Sequence, residues 1–204
     1  MQGMDRPLYQ NDPILEKVCV QIPQPVLHST HDVFHDMISC IIEQQIHYRS
    51  TKRIFEKAME RASIRHVSLD NFHEFEKFGL SQIALSNGKY ETLMQFVEFW
   101  QRNNKDFNCL SDDEVVKELS SIKGIGKWSM DMILLYTLQR PNVFPYDDFH
   151  LKQIMVSLYR LDPRARLKSK MIEISELWGP QKSMAVLYLL AYKKYISKNV
   201  ESKD

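Results

Sequence analysis

Two glycines one residue apart, in Lys123-Gly124-Ile125-Gly126-Lys127, constrain this chain more than any other feature, because helical patterns run into them from both sides. Upstream, Ser111 and Glu114 form a capping box, Asp112 and Asp113 favour the positive end of a helix, and Val115, Leu119 and Ile122 repeat on one face. Downstream, Met130, Ile133, Leu134 and Leu138 form one stripe and Trp128, Met132 and Leu135 another, which predicts a central buried helix over 127–138. Gly124 and Gly126 can adopt positive φ and carry no Cβ, so the turn between the helices can be tight and its amides can approach a phosphate. Ile125 is expected to plug back into the core. An ordinary helical hairpin with a glycine cap fits the same residues.

Composition narrows the class. With 204 residues, 44% hydrophobic and 26% charged, the chain can bury a sizeable core in one or two small domains. Its apolar runs are short and broken by charge, and Asp5, Arg6 and Pro7 interrupt any signal-peptide core, so neither export nor membrane spanning is expected. Cys19, Cys40 and Cys109 are widely spaced and odd in number, which suggests neither a disulfide framework nor a zinc site. A net charge of +1 does not announce a polyanionic partner, so any such contact must come from a local patch, for which Lys123, Lys127, Lys152 and Lys182 are the candidates. Helices are predicted near 29–45, 49–61, 70–78, 89–103, 111–121, 127–138, 148–160, 168–177 and 181–196, with no alternating strand, internal repeat or low-complexity linker. Residues 1–25, with Pro7, Pro13, Pro23 and Pro25, read as an extended arm. The expected class is all-α.

About twenty residues beyond the hairpin stands Val143-Phe144-Pro145-Tyr146-Asp147-Asp148-Phe149-His150. The acidic pair precedes an amphipathic stretch containing Phe149, Ile154, Leu158 and Leu161, so capping acids are one reading. Taken with Ile122–Ser129, Ile41-Ile42-Glu43-Gln44-Gln45-Ile46-His47 and Trp178-Gly179-Pro180-Gln181-Lys182-Ser183-Met184-Ala185, the segment resembles the signature blocks of the helix-hairpin-helix (HhH-GPD) DNA glycosylases, in the family's order. The likeness is greatest to the alkylpurine, or 3-methyladenine type II, branch and covers roughly residues 30 to 192.

That resemblance implies two helical lobes with a cleft between them, the hairpin of about 111–138 beside the cleft and the catalytic acid at its mouth, in one module without an extra N-terminal domain. It places Asp148 on the catalytic position and leaves Asp147 to cap or support. Bifunctional members carry a nucleophilic lysine where this chain has Trp128, and Lys127 matches a basic hairpin residue, so a monofunctional enzyme leaving an abasic site is implied. Trp128, Met132, Tyr136 and Leu190 fall at pocket positions; Met132, and Leu190 or Ala191, replace aromatics found in some members, and Tyr136, Tyr188 and Tyr192 could compensate. A less aromatic pocket suggests a narrow range centred on 3-methyladenine. Gln45 and His47 are the candidate wedge residues, and Gly124 and Gly126 would bring backbone amides to DNA. Carbonyls of Ser120, Ile122 and Ile125 could hold a structural sodium or potassium ion; no cofactor is required, and no cysteine cluster exists for iron–sulfur ligation. The implied partner is duplex DNA containing alkylated bases, bound by a monomer located with the genome, in the cytoplasm of a bacterium or the nucleus of a eukaryote. A glycosylase for uracil or a mismatched base, and a non-catalytic helix-hairpin-helix binder, are the alternatives.

Overall fold

The computed structural model describes residues 11–43, 48–103 and 105–201, with backbone alone at 48–53, 200 and 201. Among the described residues there are ten α-helices and no strand: α1 (Pro13–Gln21), α2 (Val33–Glu43), α3 (Tyr48–Arg61), α4 (Phe72–Glu74), α5 (Asn87–Arg102), α6 (Asp112–Ser120), α7 (Lys127–Met132), α8 (Phe149–Tyr159), α9 (Leu167–Glu176) and α10 (Lys182–Glu201). The predicted 70–78 helix is a short α-turn that widens into a π-turn at Phe75–Gly79, and the predicted 127–138 helix changes the same way at Ile133–Thr137. Two compact units divide the chain: one is Ser29–Leu138, and the other joins the residues up to His28 with those from Gln139 onward.

The Ser29–Leu138 unit is built on α2, whose Phe34, Met37, Ile38 and Ile41 are buried. Phe34 stacks on Phe96 of α5 at 5.6 Å and meets Phe72 edge-on at 6.3 Å, while Trp100 stacks on Phe107 at 4.9 Å, giving a continuous aromatic core. Polar ties fix the N-terminal end of α2. Asp36 Oδ2 accepts the hydroxyls of Thr30 and Thr137 at 2.7 Å each. Buried His35 accepts the Val67 amide at Nδ1 (3.0 Å) and stacks on His66 at 4.1 Å, and His66 Nε2 lies 2.7 Å from Asp32 Oδ2.

The second unit corrects the expectation of an extended N-terminal arm. Residues 13–21 are helical, because Asp12 accepts the Ile14 and Leu15 amides at 3.0 Å each and Pro13 occupies the first helical position, where its missing N–H costs nothing. The same carboxylate, 2% exposed, accepts the Tyr159 hydroxyl at 2.6 Å and Trp178 Nε1 at 2.9 Å, tying α1 to the end of α8 and to the turn before α10. Burial and the bond to Asp12 both raise the Tyr159 pKa, so it stays a neutral donor. The late Trp-to-Ala segment is thus partly structural: Trp178 is an anchor, Ala185 is fully buried, and Ser183 stitches the chain at 140–143. Its Oγ donates to the Arg140 carbonyl (2.5 Å) and accepts the Val143 amide (2.9 Å), and its own amide donates to Pro141 (3.0 Å).

Candidate active site and hairpin

The hairpin forms as its residues dictate. Ser111 and Glu114 make the reciprocal capping box, Val115 and Leu119 are fully buried, and Ile122 and Ile125 turn into the core. The two glycines, however, do different work. Gly124 sits at φ +94°, and a Cβ there would lie 2.0 Å from Thr92 Oγ1 on α5, so this position needs glycine for conformation and for space. Gly126 is extended (φ −96°, ψ 175°) and is the N-cap of α7, with nothing within 4 Å of a Cβ built on it. Its bare backbone faces open space beside the first amides of α7, so an approaching group meets no side chain at this point.

The lysines expected to form a local basic patch are largely committed to acids of the protein. Lys127 Nζ lies 2.7 and 2.6 Å from the two oxygens of buried Asp131, a partner the sequence reading did not foresee although its i,i+4 spacing is the signal. Lys152 pairs with Asp147 at 3.4 Å and Lys182 with Glu176 at 2.7 Å. Lys123 is exposed. Trp128, Met132 and Tyr136 fall at intervals of four along α7 and its π-turn, each half-buried, while Leu190 is half-buried on α10 in the other unit. Tyr192 donates to Gln21 at 3.0 Å, a packing role that removes its hydroxyl from the compensating set. Gln45 and His47 lie outside the described residues.

Asp148 is the buried acid of the pair, at 9% exposure, and caps α8: its Oδ1 accepts the Leu151 amide at 2.7 Å while its own amide donates to Pro145 at 2.9 Å. Of the capping or supporting role expected of Asp147, the capping is corrected: it falls to Asp148, which has the extended N-cap backbone (φ −63°, ψ 128°), while Asp147 is exposed. Capping and catalysis are compatible, because a carboxylate fixed through one oxygen presents the other in a set direction. Lys193 of α10, absent from the sequence candidates, joins these surroundings. Its ammonium contacts His150 Nδ1 (2.7 Å) and Gln153 Oε1, and burial lowers its pKa against the opposing charge of Asp148. No spacing rule links residues 148 and 193; the pairing of α8 with α10 in the fold does.

A glycine hairpin joins the amphipathic α6 to the largely buried α7, and a capped, buried aspartate opens α8, the next α-helix, in an all-helical scaffold. The sequence profile of the HhH-GPD superfamily of base excision DNA repair proteins matches residues 38–180, and the chain belongs to that superfamily. It is similar to DNA-3-methyladenine glycosylase 1 of Schizosaccharomyces pombe, 24% identical over 161 residues that cover 76% of this chain and 70% of the relative. It is also similar to a putative DNA-3-methyladenine glycosylase, YfjP, of Bacillus subtilis, 27% identical over 168 residues, 78% of this chain but 58% of the relative's length. Among solved structures, the S. pombe 3-methyladenine DNA glycosylase Mag1 in complex with abasic DNA shares the fold at a TM-score of 0.68 and 22% identity, over 90% of this chain and 92% of that one.

Proposed function

We propose that this chain is a monofunctional DNA glycosylase that hydrolyses the N-glycosidic bond of alkylated purines, 3-methyladenine first and 7-methylguanine second, in duplex DNA, leaving an abasic site. The observation that carries the reading is Asp148: a buried carboxylate held by the Leu151 amide at 2.7 Å, on the helix that follows the hairpin in a base-excision repair family. The names of the relatives support the substrate class, and the relative solved with abasic DNA supports DNA as the partner.

The chemistry needs little more. A purine methylated at N3 or N7 is already cationic, so it departs as a neutral base without protonation. Positive charge then develops at C1′ of the deoxyribose, where an ionised Asp148 stabilises it and orients a water that adds to C1′, its proton passing to the carboxylate or to solvent. Trp128 would offer an aromatic face to the cationic base. A lyase step would need an amine nucleophile at the hairpin, and there Trp128 has none while Lys127 is bound to Asp131. The hairpin carbonyls of Ser120, Ile122 and Ile125 form a neutral oxygen set that suits an alkali ion. Ile122 accepts the Ile125 amide at 3.2 Å and a carbonyl oxygen has a second lone pair, so these carbonyls would hold such an ion, which would supply positive charge at the turn. We propose that the protein acts as a monomer where the genome is held.

Release of methylated bases from alkylated duplex DNA, resolved by base, tests the reading. Wild type should release 3-methyladenine; Asp148→Asn should bind the same DNA and release about 100-fold less or lower still. Release of uracil or another uncharged lesion in preference would move the substrate class, and release by neither protein with binding intact would leave a DNA-binding protein.

A further inference from the structure

The cations expected to meet DNA are mostly paired with the protein's own acids, so the electrostatic footprint has to lie elsewhere. One stretch stands out: Arg160-Leu161-Asp162-Pro163-Arg164-Ala165-Arg166-Leu167-Lys168-Ser169-Lys170 holds five cations and one acid, while across the rest of the chain acids outnumber bases. Arg164, Arg166, Lys168 and Lys170 are all exposed, while Ala165 and Leu167 between them are half-buried, so every second side chain presents a charge to solvent. Among the described residues, none of the five cations makes an ion pair. The only acid of the stretch, Asp162, accepts the Arg164 backbone amide at 2.8 Å and so serves the turn. The tract also reaches the site. Lys168 Nζ lies 4.1 Å from the centre of the Tyr146 ring, two residues before Asp148, and its hydrogen bond to Tyr146 together with the charge of Asp147 keeps it protonated.

We infer that Arg164, Arg166, Lys168 and Lys170 form a second binding surface for the phosphodiester backbone of DNA, separate from the hairpin, which seats the strand beside the loop carrying Asp148. The inference rests on the glycosylase reading for its partner and adds where the charge that holds that partner resides. Four exposed cations at alternate positions, none in an ion pair among the described residues, match a polyanion with regularly spaced charges, and each phosphate they neutralise releases condensed counterions.

The test is binding of a fluorescent undamaged duplex at several salt concentrations by wild type, by a variant with all four residues changed to Gln, and by Arg164→Lys/Arg166→Lys. The slope of log K against log salt should become shallower by about 0.9 for each phosphate that the Gln variant leaves unneutralised, up to about 3.6 for four. The charge-preserving variant should keep the wild-type slope, and the Gln variant should keep the wild-type melting temperature. An unchanged slope in the Gln variant would overturn the inference. So would an unchanged slope together with weaker retention on phosphatidylserine vesicles or on a polyglutamate column, which would assign the tract to a membrane or an acidic protein. If wild type releases no methylated base, the glycosylase reading fails, while the salt slope on undamaged duplex still decides the tract.

Discussion

An alanine at residue 124 would place its Cβ 2.0 Å from Thr92 Oγ1 on a backbone at φ +94°, whereas an alanine at residue 126 meets nothing within 4 Å. Gly124→Ala should therefore destabilise the fold by about 3 kcal/mol, combining left-handed strain with overpacking, and lower the melting temperature by roughly 6–12 °C. Gly126→Ala should cost less than about 1 kcal/mol yet weaken DNA binding, since the added methyl stands beside the α7 amides. Thermal melts and duplex titrations of the two variants check this, and equal melts would show that the turn relaxes around Thr92. Asp148 separates in the same way. Asn is as good an N-cap as Asp, so Asp148→Asn should melt like wild type, while Asp148→Ala should lose about 1 kcal/mol with the Leu151 bond. An asparagine variant that melts like the alanine one would mean that the carboxylate charge is needed for folding, and its loss of activity would no longer isolate chemistry.

Two helix ends carry most of what is testable at the scale of elements. Asp12 caps α1 and receives buried donors from Tyr159 and Trp178; Asp12→Ala removes the cap and strands both donors, so a loss of about 3 kcal/mol or more is expected in chemical denaturation. A loss below about 1 kcal/mol would mean that water replaces the carboxylate. At the start of α2, burial and then the nearby His66 charge hold the His35 pKa below 6.5, with the charges of Asp36 and Asp32 acting in the opposite direction. The folded state thus binds fewer protons than the unfolded chain just below pH 6.5. The contribution of His35 is complete above pH 6.5 and is lost as the pH falls, by up to about 1.4 kcal/mol per unit, because protonating Nδ1 breaks the bond from the Val67 amide. Denaturant midpoints of wild type and His35→Gln between roughly pH 5 and 7.5 check it; the variant should show the shallower dependence.

For the molecule as a whole, a net charge of +1 hides an uneven distribution: exposed cations at 164–170 that make no ion pair among the described residues, and cations at 127, 152 and 182 paired locally. Substrate range belongs to this scale too. With Met132 and Leu190 at the proposed pocket positions, and one fixed acid, release should favour cationic over neutral bases, so a base-resolved assay should find hypoxanthine and ethenoadenine far behind 3-methyladenine. Much of this was legible in the chain alone. The capping box at Ser111, the stripes of α6 and α7, the plug at Ile125 and the four family blocks depend on short-range periodicity and turn chemistry, which a sequence displays directly. The rest required the tertiary structure. Pro13 is ambiguous in sequence, because what makes it a helix start is Asp12, held in place by Tyr159 and Trp178 more than a hundred residues away. Which glycine is obligatory depended on Thr92, and which aspartate caps depended on backbone angles. Whether a lysine is available to DNA depended on the carboxylate beside it. Charge and period are properties of the chain, but pairing and exposure are decided only when distant segments pack against one another.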